Sequence, residues 1–268
     1  MTVAEAWNGP LGQHWADHPD RYDAMLDGFD GALFAAAAIG PGDRVVDIGC
    51  GSGLTTRMAA QRAPGGRVTG VDLSEPLVGR ARALTDGARF PQVTYRLADA
   101  QTCAFEPGGY DLAVSRGGVM FFADPVAAFA NIAGALRPGG RLAFLCPQPA
   151  QPDGEERKAL GLLASLLGRD HTTENAVATA MASLSEPGRI HAVLGAAGFT
   201  AIEVTGVSAD TCWGKDAADA VDFFVSRTPG LSVSDATRAA MTEALLPHES
   251  PRGVMLRAGV WVVTARTP

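Results

Sequence analysis

Arg44-Val45-Val46-Asp47-Ile48-Gly49-Cys50-Gly51-Ser52-Gly53-Leu54-Thr55-Thr56 is the stretch whose reading decides the fold. Val45 to Ile48 is a β-branched apolar run without polar alternation, the pattern of a strand buried on both faces in a parallel sheet. Three glycines at alternate positions follow at once. They permit a tight turn and bring backbone close to a ligand that side chains would hold away. A helix is predicted to start near Leu54, with its unpaired N–H groups facing the same crevice. Strand, turn and helix together make a nucleotide-type site at the carboxyl edge of a parallel sheet.

Outward from this turn, the strand–helix rhythm continues. Arg67 to Asp72 reads as a second strand with an acid at its carboxyl end, and Ser74-Glu75-Pro76 as the cap of the next helix. Pro91 to Leu97, Tyr110 to Ser115 and Arg141 to Cys146 supply strands three to five, with a helix from Asp124-Pro125 to Leu136 before the fifth. Gly188 to Val204 reads as a helix and a sixth strand, and Val254 to Ala265 as a last strand. Such alternation predicts an open, mostly parallel α/β sheet with helices on both faces.

The spacing selects among nucleotides. A dinucleotide fingerprint needs G-x-G-x-x-G, but position 54 is Leu, so a nicotinamide oxidoreductase is disfavoured. Asp47-x-Gly49-x-Gly51-x-Gly53 instead resembles motif I of the class I S-adenosylmethionine-dependent methyltransferases. Asp72, Ala98-Asp99-Ala100, Tyr110-Asp111-Leu112 and Leu136-Arg137-Pro138-Gly139-Gly140 resemble further landmarks of that family in their usual order. The resemblance implies a Rossmann-like fold with a seven-stranded sheet and S-adenosyl-L-methionine as cofactor. It places backbone at Gly49, Cys50 and Gly51 along the methionine part, with Gly53 admitting the helix. It gives Asp47 to the ammonium, Asp72 to the ribose diol, Asp99 and the Ala100 N–H to adenine, and Leu73 to the ring face. Ser115 and Arg116 would meet the methionine end, mainly through backbone.

Two stretches depart from the minimal fold. Residues 147–187 contain a helical run, Glu155 to Leu167; residues 207–255 contain two, Ala217 to Ser226 and Ser234 to Leu246. They are too apolar for disordered tails and are expected to pack as a cap over the sheet edge. The resulting division is one methyltransferase domain over 1–268: an N-terminal helical segment over 1–40, a cofactor-binding core over 41–146, cap insertions over 147–187 and 207–255, and the rest of the core over 188–206 and 256–268. Within the N-terminal segment, Trp7 to Trp15 reads as turn-rich and aromatic, packing on the sheet edge or over the ligand, and Asp20 to Ala38 as a helix.

Composition narrows the partner. The chain has 268 residues, 47% hydrophobic and 19% charged, with net charge −7. That balance offers no electrostatic footprint for nucleic acid or an anionic membrane. The Asn/Asp-Pro-Pro-Tyr/Phe signature of nucleic-acid and glutamine methylating enzymes is replaced by Ser115-Arg116-Gly117-Gly118. Four scattered cysteines indicate neither a zinc site nor a disulfide framework, and no signal peptide or membrane span is read, so a cytoplasmic protein is expected. The apolar insertions favour a small, enclosed, lipophilic or aromatic acceptor, with small-molecule methylation in secondary metabolism as the reading. A base is needed only if the acceptor carries the proton to be lost, and His14 and His171 are the candidates because their segments flank the expected pocket. No metal is expected. A non-methylating protein of the same fold, with the cofactor as electrostatic catalyst or mere ligand, stays open, as does the oligomeric state.

Overall fold

The computed structural model describes residues 2–149, 154–168, 176–228 and 230–268. Three helices lead in: α1 (Val3–Trp7), α2 (Pro10–Asp17) and α3 (Pro19–Ala37). The core then alternates as β1 (Arg44–Ile48), α4 (Leu54–Arg62), β2 (Arg67–Asp72), α5 (Glu75–Leu84), β3 (Val93–Leu97), β4 (Tyr110–Arg116), α6 (Pro125–Ala135) and β5 (Leu136–Pro147). After it come α7 (Glu155–Leu166), α8 (Ala176–Ala182), α9 (Pro187–Ala196), β6 (Thr200–Gly214), α10 (Ala217–Ser226), α11 (Asp235–Leu245), β7 (Glu249–Ser250) and β8 (Gly253–Arg266).

The sheet order is β3-β2-β1-β4-β5-β8-β6, with the two-residue β7 paired to β8. β1 to β5 pair in parallel, while β8 runs antiparallel to both β5 and β6. The chain winds outward through β2 and β3, then returns to the other side of β1 with β4. That reversal opens a crevice at the carboxyl ends of β1 and β4, where ligands bind in sheets of this kind.

Alternation along β1 sends Val45 to one face and Val46 and Ile48 to the other, and both faces are covered. On the first, Phe29, Leu33 and Phe34 of α3 and Ala59 of α4 pack on Val45, Val68, Leu112 and Val114. On the second, Phe129 and Ile132 of α6 and Ile190 and Leu194 of α9 pack on Val46, Ala113, Leu142 and Phe144. Burial of such side chains is worth about 1.5–3 kcal/mol each, which fixes the strands that carry the crevice.

The architecture differs from expectation in several places, helix α8 and the short eighth strand β7 among them. Pro10 starts a helix after Gly9, so the turn-rich reading of residues 9–15 gives way to α2. β6 continues to Gly214, so residues 207–214 are strand and the second insertion shrinks to 215–252. β5 begins at Leu136, which pairs with Tyr110 across a register shift, rather than at Arg141.

The inserted helices gather with the extended ends of β6 and β8. Ala159 and Leu163 of α7, Val221 and Phe223 of α10, and Met241 and Leu245 of α11 bury against Trp213, Val254 and Leu256. Tyr22 of α3 is part of the same cluster. Because β6 runs parallel to β1, this cap stands at the carboxyl edge of the sheet, on the crevice side.

Candidate cofactor site

The turn after β1 is held from below. Gly49 N–H and Cys50 N–H both donate to the Val71 carbonyl at 2.8 and 3.1 Å, and Gly53 N–H donates to the Cys50 carbonyl at 2.9 Å. Gly49, Gly51 and Gly53 all take positive φ, at 67°, 54° and 83°. Their crowding differs. A Cβ on Gly49 would lie 2.8 Å from Gly118 Cα, whereas one on Gly51 would meet nothing within 4 Å. Gly51 therefore leaves open space above the turn, while Gly49 is needed for the approach of the β1 and β4 exits. The N–H groups of 49–51 are all spent inside the protein, since Gly51 N–H donates to Asp72 Oδ2 at 2.9 Å. Residues 49–51 therefore contribute shape rather than the free N–H donors that the sequence suggests.

Asp47 is fully buried in β1. Its Oδ2 accepts from Thr56 Oγ1 of α4 at 2.6 Å, and its Oδ1 has no partner. Burial pushes its carboxyl up to about 7 against the pull of the Thr56 hydrogen bond and of Arg116. A buried carboxylate oxygen left without a donor is costly and calls for a cationic or donating group. Asp72 ends β2 and accepts from Gly51 N–H and, at 2.9 Å on Oδ1, from Ser74 N–H. Burial raises its carboxyl, with these backbone bonds opposing. Past β3, Asp99 is exposed with Oδ1 accepting from Gln101 N–H at 2.8 Å, and Ala100 beside it is buried. Leu73 is half-buried against Trp7, Leu77 and Phe121.

At the exit of β4, Ser115 is fully buried; its hydroxyl donates to the Ile48 carbonyl at 2.7 Å and accepts from Gly118 N–H at 3.1 Å. It fastens the β4 exit to the β1 exit. The Arg116 side chain, 9% exposed, turns to α3 and pairs with Asp23 and with Asp30 at 3.3 Å. Burial raises both acids even against Arg116. Sequence reasoning misses both acids, although two carboxylates seven residues apart on a largely apolar helix share one face and could have signalled them.

Residues 46–144 match the profile of a methyltransferase domain. The chain is 35% identical to nocamycin O-methyltransferase of Saccharothrix syringae over 60% of its own length and 55% of the relative's. It is 35% identical to aklanonic acid methyltransferase of Streptomyces sp. strain C5 over 40% and 49%. It thus spans about half the length of these curated relatives. Among solved structures, a Haemonchus contortus phosphoethanolamine N-methyltransferase 2 shares the fold with TM-score 0.64 at 18% identity, covering 100% of this chain and 60% of that one. The stretch from β1 to β5 is thus similar to a methyltransferase domain, and the whole chain shares the fold of that structure. The residues present fit S-adenosylmethionine: an orphaned buried carboxylate oxygen at Asp47 suits its ammonium, and the open face of Gly51 leaves room for it.

The N-terminal helices close on the same site. Ser74 Oγ donates to the Trp7 carbonyl at 2.6 Å; Asn8 Nδ2 donates to the Leu73 carbonyl, and Glu75 N–H to Asn8 Oδ1, both at 3.0 Å. Asn8 has no signal in the sequence beyond its place in a turn. His14 lies farther along, with Nδ1 3.0 Å from the Tyr22 hydroxyl and Nε2 2.9 Å from Ser226 Oγ. Both its ring nitrogens are engaged, and neither partner belongs to the glycine turn. His171 lies outside the described residues. Among the described residues no cluster could hold a metal ion, and no helix is long and apolar enough to cross a membrane.

Proposed function

We propose that this chain is an S-adenosylmethionine-dependent methyltransferase acting on the oxygen of a small, enclosed metabolite of secondary metabolism. The observation that carries the reading is the unpartnered Asp47 Oδ1, buried under a turn whose middle glycine faces open space. When bound, S-adenosylmethionine supplies a methyl group already activated on a sulfonium. The protein's work is then alignment and exclusion of water. Asp47 holds the ammonium through Oδ1, and Asp72 accepts from the ribose hydroxyls with the lone pairs that Gly51 and Ser74 leave free. Asp99 accepts from the adenine amino group, Ala100 N–H donates to a ring nitrogen, and Leu73 packs on the ring. Oxygen as acceptor and secondary metabolism are supported by the resemblance to nocamycin O-methyltransferase. Enclosure is supported by the cap of α7, α10 and α11 on the crevice side of the sheet.

The test has two arms. Calorimetric titration should give micromolar binding of S-adenosylhomocysteine and none of NADH; comparable NADH binding would overturn the cofactor. Incubation with methyl-labelled cofactor and a panel of phenolic, enolic and carboxylic metabolites should move label onto oxygen. Cofactor binding with label transfer only to amines would overturn the oxygen acceptor.

A further inference from the structure

We propose that α1 and α2 form a strap that transmits occupancy of the glycine turn to the cap, with Asn8 and His14 as the positioning residues at its two ends. This rests on the cofactor reading given above. At the near end, Asn8 bridges the Leu73 carbonyl and the Glu75 N–H, and the Trp7 carbonyl accepts from Ser74. Ser74 N–H is itself bound by Asp72, whose other oxygen holds Gly51 N–H. An unbroken run of hydrogen bonds thus leads from Gly51 to the end of α1. There is no slack where α2 follows: a Cβ on Gly12 would run into the Trp7 carbonyl and come within 2.9 Å of Ser74 Oγ.

At the far end the proton positions follow from the partners. Ser226 has one hydroxyl proton, and the Phe223 carbonyl at 2.8 Å can only accept it. Ser226 Oγ must then accept from His14 Nε2–H, which leaves Nδ1 to accept from the Tyr22 hydroxyl. The neutral imidazole is therefore held as one tautomer between α3 and α10. Trp15, next along α2, stacks on Tyr22 at 3.5 Å and packs edge-on against Trp7 at 5.4 Å. Trp15 touches both the apolar cluster beside Leu73 and the cap cluster. A ligand that stiffens residues 72–75 therefore stiffens α10, so the cofactor should bind first and set the cap for the acceptor.

Hydrogen exchange with S-adenosylhomocysteine as the probe tests this in the full chain. In the wild type, ligand should slow exchange of the α10 amides, 217–226, at least threefold. Ser226→Ala should cancel that ligand-induced slowing while the first turn of α5 keeps its own and affinity stays within twofold; Ser226→Thr should restore it. Asn8→Ala should weaken binding about five- to tenfold and remove the response of both α2 and α10. Because the readout is the change on adding ligand, a general loosening of α10 does not mimic it. Binding without any α10 response, or a full response in Ser226→Ala, overturns the strap alone. Failure of the wild type to bind the probe overturns the cofactor reading and the strap with it.

Discussion

The floor of the crevice and the helical cluster at the carboxyl edge of β6 are built from different materials. The floor is backbone: three positive-φ glycines, two N–H groups on the Val71 carbonyl, and acids that are themselves held by N–H groups. The cap is side chain on side chain, aromatic and aliphatic, with a few polar links such as Trp213 Nε1 and Thr211 Oγ1 to Glu156 at 3.2 and 3.0 Å. Backbone geometry admits few substitutions and so keeps one ligand. Side-chain packing tolerates volume-conserving change and so lets the acceptor vary.

The sharpest way to break that contrast is within the floor. Gly49→Ala adds a methyl 2.8 Å from Gly118 Cα at a φ of 67°. Left-handed strain and overpacking together should cost about 2–4 kcal/mol. A chain of this size should then melt roughly 5–12 °C lower by calorimetry. A fall of less than 2 °C would show the β1 and β4 exits to be adaptable. Asp72→Ala comes next. It removes acceptors from Gly51 and Ser74 as well as from the ribose, so S-adenosylhomocysteine affinity should drop about thirty- to a hundredfold, on the order of 2–3 kcal/mol. Affinity within twofold of wild type would remove the ribose assignment.

Gly51→Ala sharpens the contrast with Gly49. Its Cβ meets nothing, so stability should fall by only ~1–2 kcal/mol from φ strain, while ligand affinity falls at least about tenfold as the methyl enters the open face. Unimpaired binding would mean that the ligand does not lie there.

Asp47 offers a pH test of smaller size. Its folded carboxyl titrates near 7 and its unfolded one near 3.8, so between those values the folded protein holds a proton the unfolded chain lacks. Ligand-free stability should therefore decline as pH rises through about 7. A bound ammonium reverses the preference toward the anion, so affinity should rise a few-fold from pH 6 to 8. Asp47→Asn should flatten that rise, and a slope unchanged by the substitution would clear Asp47 of any role. The smallest effect belongs to the strap. Burial, then His18 and Arg227, hold His14 below the ordinary imidazole range, while Asp17 opposes and Tyr22 carries no charge at neutral pH. A depressed imidazole contributes stability above its unfolded value near 6.5 that is lost as pH falls toward its folded one. Protection of the α10 amides, corrected for the intrinsic fall of exchange with pH, should weaken from pH 7.5 to 5.5, and should not do so in His14→Gln.

The contrast between floor and cap also governs how much of each is legible in the sequence. Val45 to Gly53 carries its geometry in residue type, because a buried strand and positive φ each demand particular residues, and Asp47, Asp72 and Ser115 lie in the strands read for them. The same motif suggests free N–H donors at Gly49, Cys50 and Gly51, where the donors are already used. Tertiary partners, Val71 and Asp72, decide that, and no local spacing reports them. Helices α7, α10 and α11 are legible from apolar periodicity, but the pattern of β6 fades before Val207. Thr205 to Trp213 mixes Gly, Ser, Ala and Asp, and only its pairing with Met255 to Val262 makes it a strand. The bridge made by Asn8 and the pairing of Arg116 with Asp23 and Asp30 join residues 65 to 93 positions apart, so spacing can mark the two acids as sharing a helix face but cannot name their partner.

The β6–β8 ladder outruns its neighbour. β8 leaves β5 at Val260, paired with Pro147, yet stays with β6 as far as Val254 opposite Gly214. The overhang is a ribbon of β6 and β8, joined by β7 only at its tip, whose side chains alternate between faces, with Thr211 and Trp213 turned into the cap. Its parity limits how a lineage can remodel the roof. Adding one residue to each strand would rotate Trp213 outward and expose the apolar faces of α10 and α11, whereas adding two would lift the whole roof by about 7 Å and keep every face in place. Changes in the size of the acceptor chamber should therefore arrive in two-residue steps along this ribbon, leaving the glycine turn untouched.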